Sequence, residues 1–148
     1  MLMVDQIVVE VRTAADDLAP AFQVRKKVFV EEQGVPVQEE MDGNDQGAYH
    51  ALAWKDETPV GTARLREYDQ STAKVERVAV CNPHRHNGIG TKLMERMEEL
   101  AAKKGYNSVL LYAQVGVTEF YEKLGYTASG DVFLDAGIKH VKMHRSLD

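Results

Sequence analysis

Two periodicities of apolar residues alternate along the chain and predict alternating strands and helices. In short runs apolar and β-branched residues dominate, whereas in longer stretches apolar residues recur every three or four positions. The short runs predict strands at residues 6–12, 49–54, 60–66, 74–80, 108–112, 127–134 and 138–145. The longer stretches predict helices from the caps Asp16 and Asp17 to about Glu32, and at residues 88–104 and 118–124. This order predicts an α/β protein with one mixed sheet and helices on both faces.

Length and composition are typical of one globular domain. The chain has 148 residues, of which 44% are hydrophobic and 28% charged, so we expect a single domain over residues 1–148. The single cysteine, Cys81, excludes an internal disulfide and a multi-cysteine zinc site. We find neither a signal peptide nor a run of about 20 apolar residues that could span a membrane, and therefore expect a cytoplasmic protein.

The charge is negative and concentrated in one segment. The net charge of −5 disfavours nucleic acid as a partner. Six acidic residues and no lysine or arginine lie between Glu31 and Asp45. The segment is either a solvated loop or a negative rim that attracts a cationic substrate.

A glycine-containing loop joins the strand at residues 74–80 to the long second helix. Its glycines, Gly88 and Gly90, allow a sharp turn, and the unpaired amides of a helix start favour phosphate. The loop also follows the carboxyl end of a strand, where ligands of open α/β sheets bind. It lacks the Gly-Lys-Ser/Thr of a P-loop and the third glycine of a dinucleotide fingerprint. By itself the pattern also fits a simple tight turn or another nucleotide site.

Two sequence motifs resemble those of the GCN5-related N-acetyltransferase (GNAT) superfamily. The first is the strand 75–80 followed by Arg85-x-x-Gly88-x-Gly90, and the second is Phe120-Tyr121-Glu122-Lys123-Leu124-Gly125-Tyr126. Residues 28–36, Asp42-Gly43-Asn44-Asp45 and His50 further resemble the small ElaA/YjcF-like branch. The order of strands and helices is similar to the family's over the whole chain.

The resemblance implies both a fold and a reaction. The fold would be the acyl-CoA N-acyltransferase fold: a mostly antiparallel sheet with one parallel, splayed strand pair and helices on both faces. The reaction would be direct transfer of acetyl from acetyl-CoA to a primary amine of a small molecule or peptide, in a ternary complex. The alternative is a non-catalytic acyl-CoA-binding sensor or interaction module on the same fold. A homodimer through the last strands is compatible with either function.

The resemblance also assigns the coenzyme-binding residues. The pyrophosphate would lie in the glycine loop. The pantetheine arm would lie along the strand that ends at Val80, between it and the strand at residues 108–114, with the sulfur near Tyr121. The implied residues are Val78, Ala79, Val80, Arg85, His86, Asn87, Gly88, Ile89, Gly90, Thr91, Gln114 and Tyr121.

Two residues are catalytic candidates. Tyr121, by its place in the family motif, would protonate the departing thiolate; otherwise it is a core aromatic residue. Glu76 is the candidate base, because the resemblance implies a carboxylate near this position, acting directly or through water. Strand alternation places it with Val78 and Val80, where it is either buried with a raised pKa or turned out to solvent. Otherwise Glu76 is a solvated strand residue paired with a neighbouring cation such as Arg64 or Lys74. The histidines lack metal-ligand spacing, so we expect no metal.

Overall fold

A seven-stranded sheet organises the computed structural model, which describes residues 6–147. The strands are β1 (Ile7–Arg12), β2 (Tyr49–Lys55), β3 (Thr58–Glu67), β4 (Thr72–Val80), β5 (Ser108–Gln114), β6 (Thr127–Asp135) and β7 (Ile138–Ser146). Their order is β1-β2-β3-β4-β5-β7-β6. All neighbours are antiparallel except β4 and β5, which confirms the predicted mixed sheet. Residues 1–5 and 148, included in the single-domain prediction, lie outside the described residues.

In the described part of the chain, four α-helices accompany the sheet: α1 (Ala19–Arg25), α2 (Val37–Glu40), α3 (Ile89–Lys103) and α4 (Thr118–Lys123). The first predicted helix reaches Glu32 as expected, but it begins at Ala19 and continues from Lys26 as a π-helix. Pro20 in the first turn favours this start. Short 3₁₀ turns occupy Asn82–His84 and Val115–Val117. Within residues 6–147 we find no helix with the length and apolar character of a membrane span.

The two longer helical segments pack on opposite faces of the sheet. Leu93 of α3 lies against Gly61, where an added Cβ would be 3.0 Å from its Cδ1 atom. The next residue, Thr62, faces the other side of the sheet and pairs with Ala79 of β4. Ala79 packs against Val24 of α1 and Val28 of the π-helix. Because side chains alternate along a strand, the sheet is covered on both faces, as predicted.

The pairing between β4 and β5 is short. Three parallel pairs join these strands, and the last is Lys74 with Leu110. Beyond it the strands diverge, as the family resemblance implied. This divergence opens the sheet at its centre.

A β-bulge in β4 changes which residues share a face. Arg64 of β3 pairs with Glu76 and Thr62 with Ala79, so two steps on β3 oppose three on β4. Arg77, inside the bulge, has φ +56°. The extra residue turns Glu76 to the face of Ala79, away from Val78 and Val80. Our prediction that Glu76 shares a face with those valines was therefore wrong.

Candidate functional site

The diverging strands enclose a cleft of about 730 Å³. Residues 74–80 of β4 form one wall, and Leu111, Tyr112 and Gln114 of β5 form the other. Phe29 and Gln33, from the π-helix and its end, contribute to the rim, and Tyr121 of α4 also lines the cleft. π-helical turns occur frequently at functional sites. Of the predicted site residues, the cleft contains Glu76, Val78, Ala79, Val80, Arg85, Gln114 and Tyr121.

The glycine loop continues from the same wall and ends in the start of α3. Gly88 is the N-cap residue with φ +80°, and His86 has φ +66°. Within residues 6–147, no group accepts a hydrogen bond from the backbone amides of residues 86–91. The loop therefore offers a row of free donors at a helix N-terminus, which suits a phosphate group. His86, Asn87, Gly88, Ile89, Gly90 and Thr91 supply these amides.

Arg85 anchors the loop to two neighbours. Its Nε atom donates to the carbonyl oxygen of Val80 at 2.8 Å. Its Nη1 and Nη2 atoms each donate to the carboxylate of Glu32 at 2.6 Å. The guanidinium of Arg85, one of the implied coenzyme-binding residues, is thus paired with a carboxylate of the π-helix.

Tyr121 is buried at the cleft wall. Its side chain is 7% exposed, and its ring makes edge contacts with Phe120 and Tyr126. Among the described residues, none forms a hydrogen bond with its hydroxyl group. Burial raises the pKa of Tyr121 above its ordinary value. The hydroxyl therefore keeps its proton to high pH and is available to a ligand.

Gln114 closes one side of the cleft. Its Nε2 atom donates to Oε1 of Gln33 at 3.0 Å, which ties the end of β5 to the end of the π-helix. This contact crosses the cleft far from the paired part of β4 and β5, because Gln114 is the last residue of β5.

Glu76 is surrounded by cations. Its carboxylate accepts from Arg66, and it lies 3.2 Å from Nη2 of Arg64 and 3.7 Å from Nζ of Lys74. Burial alone would raise the pKa of Glu76, but the Arg66 hydrogen bond and the charges of Arg64 and Lys74 lower it. The expected raised pKa was wrong. Of the other interpretation, the pairing with Arg64 and Lys74 is confirmed, but the side chain is 10% exposed and therefore not solvated.

The acidic segment contains the main feature that the sequence did not predict, a buried ion network. Arg25 and Arg64 are each 1% exposed. Nε of Arg25 lies 3.0 Å from Glu40 and its Nη1 2.7 Å from Asp45. Arg64 in turn lies 2.7 Å from Asp42 and 3.0 Å from Asp45.

Arg77 of the bulge joins the same network. It lies 2.8 Å from Glu40 and 3.2 Å from Asp42. Glu40 and Asp45 are buried and paired, so for these two residues both interpretations, a solvated loop and a free negative rim, were wrong. The other four acids of the segment, Glu31, Glu32, Glu39 and Asp42, are exposed, although Asp42 is paired with Arg64 and Arg77. The arginine at position 25, inside an apolar helical stripe, was the signal that could have revealed the network.

The described residues contain no metal-binding arrangement. Within residues 6–147, no three His, Cys, Asp or Glu side chains are grouped closely enough to hold a metal ion.

A family model and individual relatives agree with this architecture. Residues 14–147 match the model of the acetyltransferase (GNAT) domain. The chain is 41% identical to the N-acetyltransferase YjcF of Bacillus subtilis, over 86% of this chain and 91% of that protein. It is 31% identical to the protein ElaA of Escherichia coli, over 90% of each chain.

Solved structures share the fold. The crystal structure of E. coli ElaA superposes with a TM-score of 0.85 at 28% identity, covering 95% of this chain and 99% of that one. An acyl-CoA N-acyltransferase from Pseudomonas aeruginosa gives a TM-score of 0.84 at 30% identity, covering 95% and 99%. The splayed β4–β5 pair, the glycine loop and these similarities together show that the chain belongs to the GNAT family of acetyltransferases, among small proteins like ElaA and YjcF.

Proposed function

We propose that the protein transfers the acetyl group of acetyl-CoA to a primary amine by direct attack within a ternary complex. The observation that carries the proposal is the cleft between β4 and β5. It extends from Arg85, which directly precedes the loop of free amides, to Tyr121, whose hydroxyl has no hydrogen-bond partner among the described residues. The acceptor would be a small molecule or a peptide that enters from the side of residues 36–42 and the β6–β7 turn.

Three features of the chain fit an acyl-CoA. The free amides of residues 86–91 would bind the pyrophosphate. The edge of β4 at Val78, Ala79 and Val80, unpaired with β5, would bind the pantetheine arm as an added strand does. Gln114 would lie beside the arm. Two proteins of the same fold, at 16% and 17% identity, were crystallised with coenzyme A and with acetyl-CoA, which supports this choice of ligand.

The chemistry needs a proton donor and a proton acceptor. Tyr121 would donate to the thiolate, and its raised pKa keeps the hydroxyl protonated until it is needed. Glu76 would receive the proton that the ammonium of the acceptor must lose. Because its pKa is lowered, Glu76 would hold that proton only transiently and pass it to water in the cleft.

One observation favours the second candidate, a non-catalytic acyl-CoA sensor. An efficient general base has a pKa near the working pH, whereas the cations around Glu76 hold its pKa below the usual value. A protein with this site could bind acyl-CoA without turning it over.

An acceptor screen separates the two candidates. The protein is incubated with acetyl-CoA and a panel of diamines, amino acids, aminoglycosides and peptides, and free thiol is measured. The enzyme releases thiol with at least one amine in proportion to acetylated product. A sensor binds acetyl-CoA in calorimetry and releases no thiol with any amine. Absence of acyl-CoA binding would overturn both.

A further inference from the structure

Lys74 is an amine of the chain itself that lies in the cleft. It belongs to the last parallel pair of β4 and β5, so it lies where the two strands begin to separate. Its side chain is 13% exposed and forms part of the cleft lining. No role for this lysine follows from the function proposed above.

The ammonium of Lys74 is held by an aromatic face and a carboxylate. Nζ lies 3.9 Å from the centre of the Tyr112 ring and 3.7 Å from Oε2 of Glu76. Tyr112 is itself fixed by an edge contact with Phe133 at 5.0 Å between ring centres. This surrounding restricts the amine to one region of the cleft.

Burial also favours the reactive, neutral form of this amine. Desolvation lowers the pKa of Lys74, and the charge of Glu76 opposes the shift only in part. A larger fraction of Lys74 is thus unprotonated at neutral pH than of a lysine on the surface. Glu76 is also the nearest carboxylate that could take its proton.

The direction of the donor brings its reactive end toward Lys74. With the pyrophosphate at residues 86–91 and the arm along Val78–Val80, the thioester points toward the bulge at Arg77. Glu76 directly precedes Arg77, and the Lys74 amine lies 3.7 Å from Glu76. The Lys74 amine thus lies in the cleft beside Glu76, and we expect the thioester to approach it there.

We propose that the protein acetylates its own Lys74 when acetyl-CoA is bound and no other acceptor fills the cleft. The inference rests on the proposed donor. The neutral Nζ attacks the thioester carbonyl carbon, a C–N bond forms and the C–S bond breaks. The proton from nitrogen goes through Glu76 to water, the thiolate takes a proton from Tyr121, and Tyr121 regains a proton from water. The products are Nε-acetyl-Lys74 and coenzyme A.

Mass spectrometry of the purified protein tests this. The full chain is incubated with acetyl-CoA alone, its intact mass is followed over time, and peptides locate the modified lysines. We expect one acetyl group at Lys74, added at a rate that saturates with acetyl-CoA and is about tenfold or more above that of a surface lysine, because a positioned amine reacts faster. Lys92 and Lys103, exposed on α3, are internal controls.

Two variants test whether Lys74 is the residue modified and whether Tyr121 takes part in the reaction. Lys74→Arg keeps the cation beside Tyr112 and Glu76 and should end the single fast addition. Tyr121→Phe keeps Lys74 and should slow its acetylation while the rates at Lys92 and Lys103 stay the same. Acetylation of Lys74 at the rate of Lys92, or at an unchanged rate in Tyr121→Phe, would overturn the inference.

The outcome is independent of the acceptor screen. Turnover of external amines with an unmodified Lys74 refutes self-acetylation and leaves the proposed function standing. Fast acetylation of Lys74 without turnover of any amine supports self-acetylation and refutes transfer to an external acceptor. Absence of acetyl-CoA binding refutes both.

Discussion

The ring of Phe120 occupies the space that a side chain at Gly90 would need. A Cβ atom on Gly90 would lie 3.1 Å from Cζ of Phe120, which is closer than side chains normally pack. The contact joins the two sequence motifs, because Gly90 lies in the first turn of α3 and Phe120 precedes Tyr121 on α4. The missing side chain at residue 90 thus sets where α4, and with it Tyr121, lies against the start of α3.

Gly90→Ala should accordingly impair both stability and turnover. The added methyl group pushes the Phe120 ring, and overpacking of this kind costs about 1–3 kcal/mol. Displacement of Tyr121 should lower kcat about tenfold or more. Thermal melting and steady-state kinetics measure the two effects. Gly47→Ala is the matched control, since a Cβ there meets no atom within 4 Å; equal behaviour of the two variants would contradict the prediction.

Tyr121→Phe should preserve the fold and lower kcat. Within residues 6–147 the hydroxyl has no hydrogen-bond partner, so its removal leaves no buried group unsatisfied. A positioned general acid contributes about 10²–10⁴-fold to the rate, so we expect a loss of that size. Because burial raises the Tyr121 pKa, the fall in activity that follows deprotonation of Tyr121 should occur only at high pH. The variant has no hydroxyl at this position, so its pH–rate profile should lack that fall. An unchanged kcat with rate-limiting chemistry would make Tyr121 a core residue only.

Glu40→Gln should destabilise the protein far more than Glu39→Gln. Glu40 neutralises the buried Arg25, at 3.0 Å, whereas Glu39 is exposed. Removing one partner of a buried ion pair costs about 3–5 kcal/mol, and the remaining Asp45 contact places this case at the low end. The exposed substitution should change stability by less than about 0.5 kcal/mol. Urea unfolding measures both, and equal midpoints would show that the network contributes little.

Acid should destabilise the chain through the same network. The pKa values of Asp42 and Asp45 are below normal because hydrogen bonds from Arg64 and Arg25 outweigh the opposite effect of burial. A carboxylate with a lowered folded-state pKa contributes stability above its unfolded pKa of about 4. That contribution is lost as pH falls below about 4 toward the folded-state value. Urea midpoints should therefore fall between pH 6 and pH 3, and fall less steeply in Asp42→Asn; parallel curves would exclude this contribution.

Glu32→Gln should strengthen binding of coenzyme A. Glu32 holds both terminal nitrogens of Arg85 at 2.6 Å, and a pyrophosphate would compete for the same donors. Because the Arg85–Glu32 pair is partly exposed, it contributes up to about 1 kcal/mol. Removing this competition should raise the affinity for coenzyme A, measured by calorimetry, by up to about fivefold. S-acetylpantetheine, which lacks the pyrophosphate, should bind both proteins equally. Equal coenzyme affinities would show that Arg85 does not contact the pyrophosphate.

The elements of the fold and the residues proposed to bind the donor are both visible in local sequence patterns. Apolar periodicity is local, so the seven strands and the three longer helical segments follow from it with errors of a few residues. The glycine loop and Phe120-Tyr121 are also local motifs, because a phosphate site made of backbone amides needs consecutive residues. Dimerisation through the last strands stays a prediction.

The surroundings of Glu76 and of the acidic segment, by contrast, depend on contacts that no local pattern reveals. A single bulge at Arg77 reverses the face of Glu76, and alternation along a strand cannot reveal a bulge. Arg25, Arg64, Glu40 and Asp45 come from different elements, so their pairing depends on how helices and sheet pack. The electrostatics of the cleft therefore arise from contacts between residues far apart in sequence, whereas its amide donors arise from neighbours in the chain.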